Sequence, residues 1–106
     1  MRTNLIVQIV RFLDGQQPGW VEAQFRDANG QNHTFHDKVP IFTIENLNPT
    51  STYPQPGFVR CEASSESRDA FGLAVVHINT SRPDGVESTE GLSEFAVLPA
   101  QLSDCI

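Results

Sequence analysis

The stretch Trp20-Val21-Glu22-Ala23-Gln24-Phe25-Arg26-Asp27-Ala28-Asn29-Gly30-Gln31-Asn32-His33-Thr34-Phe35-His36-Asp37 carries the fold. Val21, Ala23 and Phe25 alternate with Trp20, Glu22, Gln24 and Arg26, the period-two pattern of a half-buried strand. A second alternating run follows Asp27-Ala28-Asn29-Gly30. An Asn-Gly pair invites a two-residue hairpin turn, but that register would set Phe25 opposite Thr34 and send Phe35 to the other face. A three-residue loop, with a type I turn and Gly30 as a left-handed bulge residue, instead opposes Phe25 with His33 and Ala23 with Phe35. The apolar residues of both strands then share one face, so the bulged hairpin is the reading adopted.

Residues 4–13 extend the pattern toward the N-terminus. Leu5, Val7, Ile9 and Leu13 line one side and Ile6, Val10 and Phe12 the other, as expected of a central strand or one in a closed barrel. Residues 15–19 read as a loop. On the C-terminal side, Val39 to Ile44 reads as a strand with Pro40 at its start or edge. Residues 46–57 hold three prolines and form the longest loop. Phe58 to Ala63 reads as a strand, Ser64 to Gly72 as a polar turn, and Leu73 to Thr80 as a strand. Arg82-Pro83-Asp84-Gly85 then reads as a turn, residues 86–92 as irregular and acidic, and Glu94 to Leu98 as the last strand. Pro99 to Ile106 is read as a tail with a short helical turn. Six to seven short strands without a long helical pattern predict a single all-β, mainly antiparallel domain over residues 1–106, a small barrel or sandwich.

Composition excludes several functions. The chain has 106 residues and a net charge of −6, with 7 basic and 13 acidic side chains. Residues 54–106 hold three of the basic and eight of the acidic residues, a local net of −5. The lone Lys38 and scattered arginines give no basic footprint for nucleic acid or an anionic membrane. The apolar run from Leu5 to Val10 is too short to span a bilayer and lacks a small-residue cleavage site after it, so a cytoplasmic location is expected. In that compartment Cys61 is expected to be buried and unpaired, although a bridge to Cys105 is not forbidden by spacing.

No pattern in the chain announces chemistry. Nucleotide-binding glycine loops and the nucleophile-elbow serine are absent. His33 and His36 are three apart on a strand, hence on opposite faces, and read as ordinary half-exposed histidines rather than metal ligands. Cys61 with His77 would make a nucleophile–base pair only if their strands adjoin, and Cys61 sits where a small buried hydrophobe is expected. No cofactor or metal is expected. Asp84, Glu87, Glu90 and Glu94, with no basic residue between them, read as a solvated edge or as a partner-binding patch. Trp20, on the face opposite Phe25, either anchors an interface or fills the second side of a barrel wall.

The segments from Trp20-Val21-Glu22-Ala23 through Asp37-Lys38-Val39-Pro40-Ile41-Phe42-Thr43, and Arg82-Pro83-Asp84-Gly85-Val86-Glu87-Ser88-Thr89-Glu90-Gly91-Leu92, resemble short uncharacterised bacterial proteins of about this length. In strand rhythm alone the chain is also similar to the β-barrel domains of translation elongation factors, without their GTPase domain or motifs. The first resemblance implies no activity and the second bears on fold only. Two functions are therefore carried forward. One is a non-enzymatic protein-binding module, for instance an acidic inhibitor or immunity-type protein that docks on a basic partner through Asp84, Glu87, Glu90, Glu94 and Trp20. The other is a small enzyme or ligand-binding barrel whose site is assembled from His33, His36, His77 and Asp37.

Overall fold

The computed structural model describes residues 1–14 and 19–104. Its strands are β1 (Arg2–Asp14), β2 (Trp20–Arg26), β3 (Asn32–Lys38), β4 (Gln55–Arg68), β5 (Ala74–Asn79), β6 (Glu94–Val97) and β7 (Leu102–Ser103). A one-turn helix, α1 (Val39–Phe42), follows β3, and a 3-10 turn over Pro99–Gln101 precedes β7. All seven strands belong to one antiparallel sheet, ordered β3-β2-β1-β4-β5-β6, with β7 on β1. The sheet curls into a half-barrel, so the architecture is barrel-like and not a two-sheet sandwich.

The first hairpin has the bulged register expected of it. Phe25 opposes His33 and Ala23 opposes Phe35. Gly30 has φ +82°, the Gly30 amide donates to Asp27 O at 3.0 Å, and the Asp27 amide donates to Gln31 O at 2.8 Å. The Phe25 and Phe35 rings stack at 5.7 Å on the buried face. Phe95, from β6 at the far end of the strand order, meets Phe25 edge-on at 5.1 Å and Phe35 at 6.0 Å. The two ends of the curled sheet thus converge on one aromatic cluster. Two backbone bonds accompany it, Ala28 N to Ala96 O and Thr89 N to Thr34 O, each 2.8 Å.

Elsewhere the structure corrects the reading. In β1, Leu5, Val7 and Ile9 face the core, but a register shift between Ile9 and Arg11 turns the chain over. Phe12 thereby joins the core side in place of Leu13. Val39 to Phe42 is helical, not extended. A proline in the first helical turn sacrifices no bond, because that turn's amides have no intrahelical acceptor. The 39/42 spacing then buries both Val39 and Phe42. Behind this turn lies a close approach at Gly57, where a Cβ would meet Ile9 Cδ1 at 2.9 Å and Phe42 O at 3.1 Å.

The supposed polar turn from Ser64 is strand as far as Arg68, and only Asp69 to Leu73 turns. β7 was not anticipated. Cys61 is fully buried, as expected; Cys105, Ile106 and most of the 15–19 loop lie outside the described residues. Among the described residues no helix is long and apolar enough to cross a membrane.

Phe95→Ala is expected to cost about 3–5 kcal/mol in urea unfolding, because it opens a cavity at the closure point. Ile44, fully exposed, serves as the control, and Ile44→Ala is expected to stay within about 0.5 kcal/mol. An added Cβ at Gly30 meets nothing within 4 Å. Gly30→Ala should therefore cost only the left-handed backbone term, about 1 kcal/mol.

Candidate functional site

The acidic segment begins at the end of β5. Thr80, fully buried, donates through its hydroxyl to Val86 O at 2.8 Å, and the Val86 amide returns a 3.1 Å bond to Thr80 O. Gly85, at φ +67°, makes the reversal possible. From Val86 the chain alternates: Val86 and Ser88 point inward and Glu87 outward. Ser88 Oγ accepts from the Glu90 and Leu92 amides at 3.3 and 3.1 Å, while Gly91 N donates to Ser88 O at 2.9 Å. This is the turn of the first hairpin with serine in place of aspartate. Glu87 and Glu90 are exposed on this pinned loop, and no ion pair among the described residues reaches either.

Glu94 opens β6 opposite Asn79, which on its other side opposes Glu62 of β4. The row Glu62–Asn79–Glu94 crosses three strands on the outer face. It floors an open cleft of about 350 Å³ whose walls include Ser64, His77 and Arg82. Asp84 departs from expectation. Arg60 grips it with two bonds, Nε to Oδ2 at 2.9 Å and Nη2 to Oδ1 at 2.6 Å. That carboxylate is neutralised locally and offers little to a partner.

Trp20 stands apart from this group. It is 38% exposed on the outer face of β2, opposite Lys38 on one side and Asp14 on the other. The acidic loop touches β3 at Thr34, whose neighbour on β2 is Gln24. Four residues along a strand, about 13 Å, separate Gln24 from Trp20.

The histidines do not converge. His33 is buried, not half-exposed, and its ring packs against Phe25 at 5.2 Å and Phe95 at 4.7 Å. Its Nε2 lies 2.7 Å from Asp27 Oδ2. An ionised carboxylate only accepts, so Nε2 carries the proton of that bond; Nδ1 is buried with no partner among the described residues. His36 lies outside, 3.0 Å from Glu22 Oε1, an oxygen that Arg11 also engages at 3.0 Å. Asp37 accepts from the Lys38 amide. His77 is exposed on β5, 3.3 Å from Ser67 Oγ, whereas Cys61 faces the core. No group of three or more His, Cys, Asp or Glu able to hold a metal forms among the described residues.

Two carboxyls are held below their ordinary range. Burial alone would raise Asp27, but hydrogen bonds from His33 and from the Gln31 and Asn29 amides outweigh it. Burial alone would likewise raise Glu22, but Arg11, His36 and Gln24 together outweigh it. No family model, curated protein or solved structure matches the chain.

A carboxyl lowered on folding contributes stability that is present above its unfolded pKa and lost as pH falls through the folded one. Unfolding free energy should therefore be flat down to about pH 4 in this respect and fall below it. Asp27→Asn should cost stability at neutral pH and flatten the acid limb. Urea midpoints measured between neutral and acid pH test this, and an unchanged slope in the variant would count against Asp27.

Proposed function

We propose that the protein is a non-enzymatic binding module that docks on a basic protein through Glu87, Glu90 and Glu94. The observation that carries this reading is the pairing of exposure with rigidity. Val86, Ser88 and the Thr89–Thr34 bond pin the loop, while Glu87 and Glu90 face solvent with no ion-pair partner among the described residues. Charges on a preformed loop lose little entropy when a partner arrives. Their field also speeds encounter with an oppositely charged surface.

Glu62 extends the acidic face across the cleft, and Asp84 drops out of it. An inhibitor or immunity-type role in the cytoplasm, covering a basic active site, fits this chemistry because carboxylates can stand in for phosphates. The enzyme reading gains no support from the geometry, since His33, His36, His77 and Asp37 occupy separate places.

The test begins with affinity capture from the native host and identification of the co-purifying protein. With that partner, the double variant Glu87→Lys/Glu90→Lys should slow association at low salt by about tenfold or more. The wild-type advantage should shrink as added salt shortens the Debye length from about 10 Å at 0.1 M toward about 3 Å at 1 M. The melting temperature should hardly move, because exposed charges contribute little to folding. Unchanged association in that variant at low salt would remove this face as the docking site.

A further inference from the structure

We propose that the projecting β4–β5 arm joins two copies of this chain edge to edge, in a two-fold dimer centred on Ser67. The molecule measures 44 × 24 × 24 Å, and every residue from Ser64 to Leu73 is exposed. β1 covers the edge of β4 only as far as Arg2, which opposes Glu62, with a last pair of bonds between Met1 and Ala63. Beyond Ala63 the arm is a two-stranded ribbon, and no described residue pairs with the outer edge of β4. An open edge of this kind is a template for another strand.

The hydrogen-bond alternation says which groups that edge offers. Asp69 N donates to Leu73 O at 3.0 Å, so Asp69 and Leu73 face each other. In an antiparallel pair the facing and outward positions alternate. Arg68 opposite Ala74, and Glu66 opposite Val76, therefore turn their N–H and C=O groups outward, while Ser67 and Ser65 turn theirs to β5. A second β4 can bond to this edge only where outward residues oppose outward residues.

That rule leaves three registers over the arm. One opposes Glu66 with itself and one opposes Arg68 with itself, each setting like charges directly across. The third opposes Glu66 of each copy with Arg68 of the other, with Ser67 on the two-fold axis. It alone yields four backbone bonds together with two opposite-charge pairs. Glu66 has no ion pair among the described residues. Arg68 uses Nη1 on Gly72 O, leaving its other nitrogens to donate. The same register carries the tip, where Phe71 is 90% exposed, past Ser65 of the second copy. Ser65 borders a cleft of about 510 Å³ lined also by Met1, Ala63, Val76 and Leu102. An isologous contact of this type closes on itself and does not propagate into fibres.

Sedimentation equilibrium of the full chain, over a series reaching millimolar concentration, tests the proposal. The wild type should show a monomer–dimer equilibrium. Arg68→Glu and Glu66→Arg should each raise the dissociation constant by about tenfold, since each replaces two attractive cross-strand pairs by two repulsive ones. The combined variant Glu66→Arg/Arg68→Glu should restore wild-type dimerisation, which a fold damaged at the arm would not do. Phe71→Ser should weaken the dimer, whereas Glu87→Lys/Glu90→Lys should leave it unchanged, separating this contact from the acidic face. A chain that stays monomeric throughout, a dimer indifferent to the single reversals, or a double swap no better than either single would each overturn it.

Discussion

The contact of Phe95 with Phe25 and Phe35 is the constraint on which the rest of the fold depends. A six-strand path from β3 to β6 has two ends, and nothing in strand pairing requires them to meet. Here they meet through rings 5.1 and 6.0 Å apart, with two main-chain bonds among the described residues, Ala28 N to Ala96 O and Thr89 N to Thr34 O, bridging the gap. Ring burial, and not a ladder of hydrogen bonds, closes the half-barrel. His33 completes the wall between Phe25 and Phe95, and the Asp27 carboxylate satisfies the ring nitrogen nearest the turn. Because His33, Phe25 and Phe35 lie on one hairpin, a one-residue slip would dissolve the cluster and the closure together.

One turn design recurs three times. At Asp27–Gln31, Asp69–Leu73 and Ser88–Leu92, the first residue's side-chain oxygen accepts from amides two and four residues on. Glycine in the fourth place takes φ +82°, +80° and +82° respectively. Short oxygen-bearing side chains reach their own downstream amides, and glycine supplies the left-handed step without steric cost. The design does different work in each place. It sets the register of the first hairpin, exposes Phe71 at the arm tip, and fixes Glu90 on the acidic loop.

The first of these turns was legible in the sequence because alternating apolar residues flank it, so only one register gathers Phe25 and Phe35. Asp69-Ala70-Phe71-Gly72 has the same spacing, yet the residues before it, Ser64 to Arg68, are polar on both faces and carry no burial alternation. Ser64 to Gly72 therefore reads as a turn in the sequence. Val39 to Ile44 misled for the opposite reason. β-branched and aromatic residues suit a strand, and a burial demand at a spacing of three, visible only against Gly57 and Ile9, selected a helical turn. The bulge that brings Phe12 inward left no mark on composition either. At the candidate site, sequence reading could mark the carboxylates but not their partners. Arg60 lies 24 residues from Asp84, and only the sheet brings the two together.

That last point bears on how a net charge should be read. Most of the aspartates in the described structure serve it: Asp27 and Asp69 hold turns, Asp37 accepts from the next amide, and Asp84 is gripped by Arg60. Glu22 is likewise occupied, by Arg11, His36 and Gln24. A short carboxylate lies close to its own backbone and is drawn into local hydrogen bonds, whereas the extra methylene of glutamate carries the charge into solvent. Glu62, Glu66, Glu87, Glu90 and Glu94 by contrast have no ion pair among the described residues, and they belong to β4, to the start of β6 and to the loop before it. On β2, Glu22 gathers Arg11 and His36, while Arg26 and Lys38 are exposed with no ion pair among the described residues. Carboxylates tied into the structure and carboxylates left in solvent lie side by side along the chain, as Asp84 and Glu87 do, so the negative charge counted in the C-terminal half of the sequence overstates what that half presents unpaired.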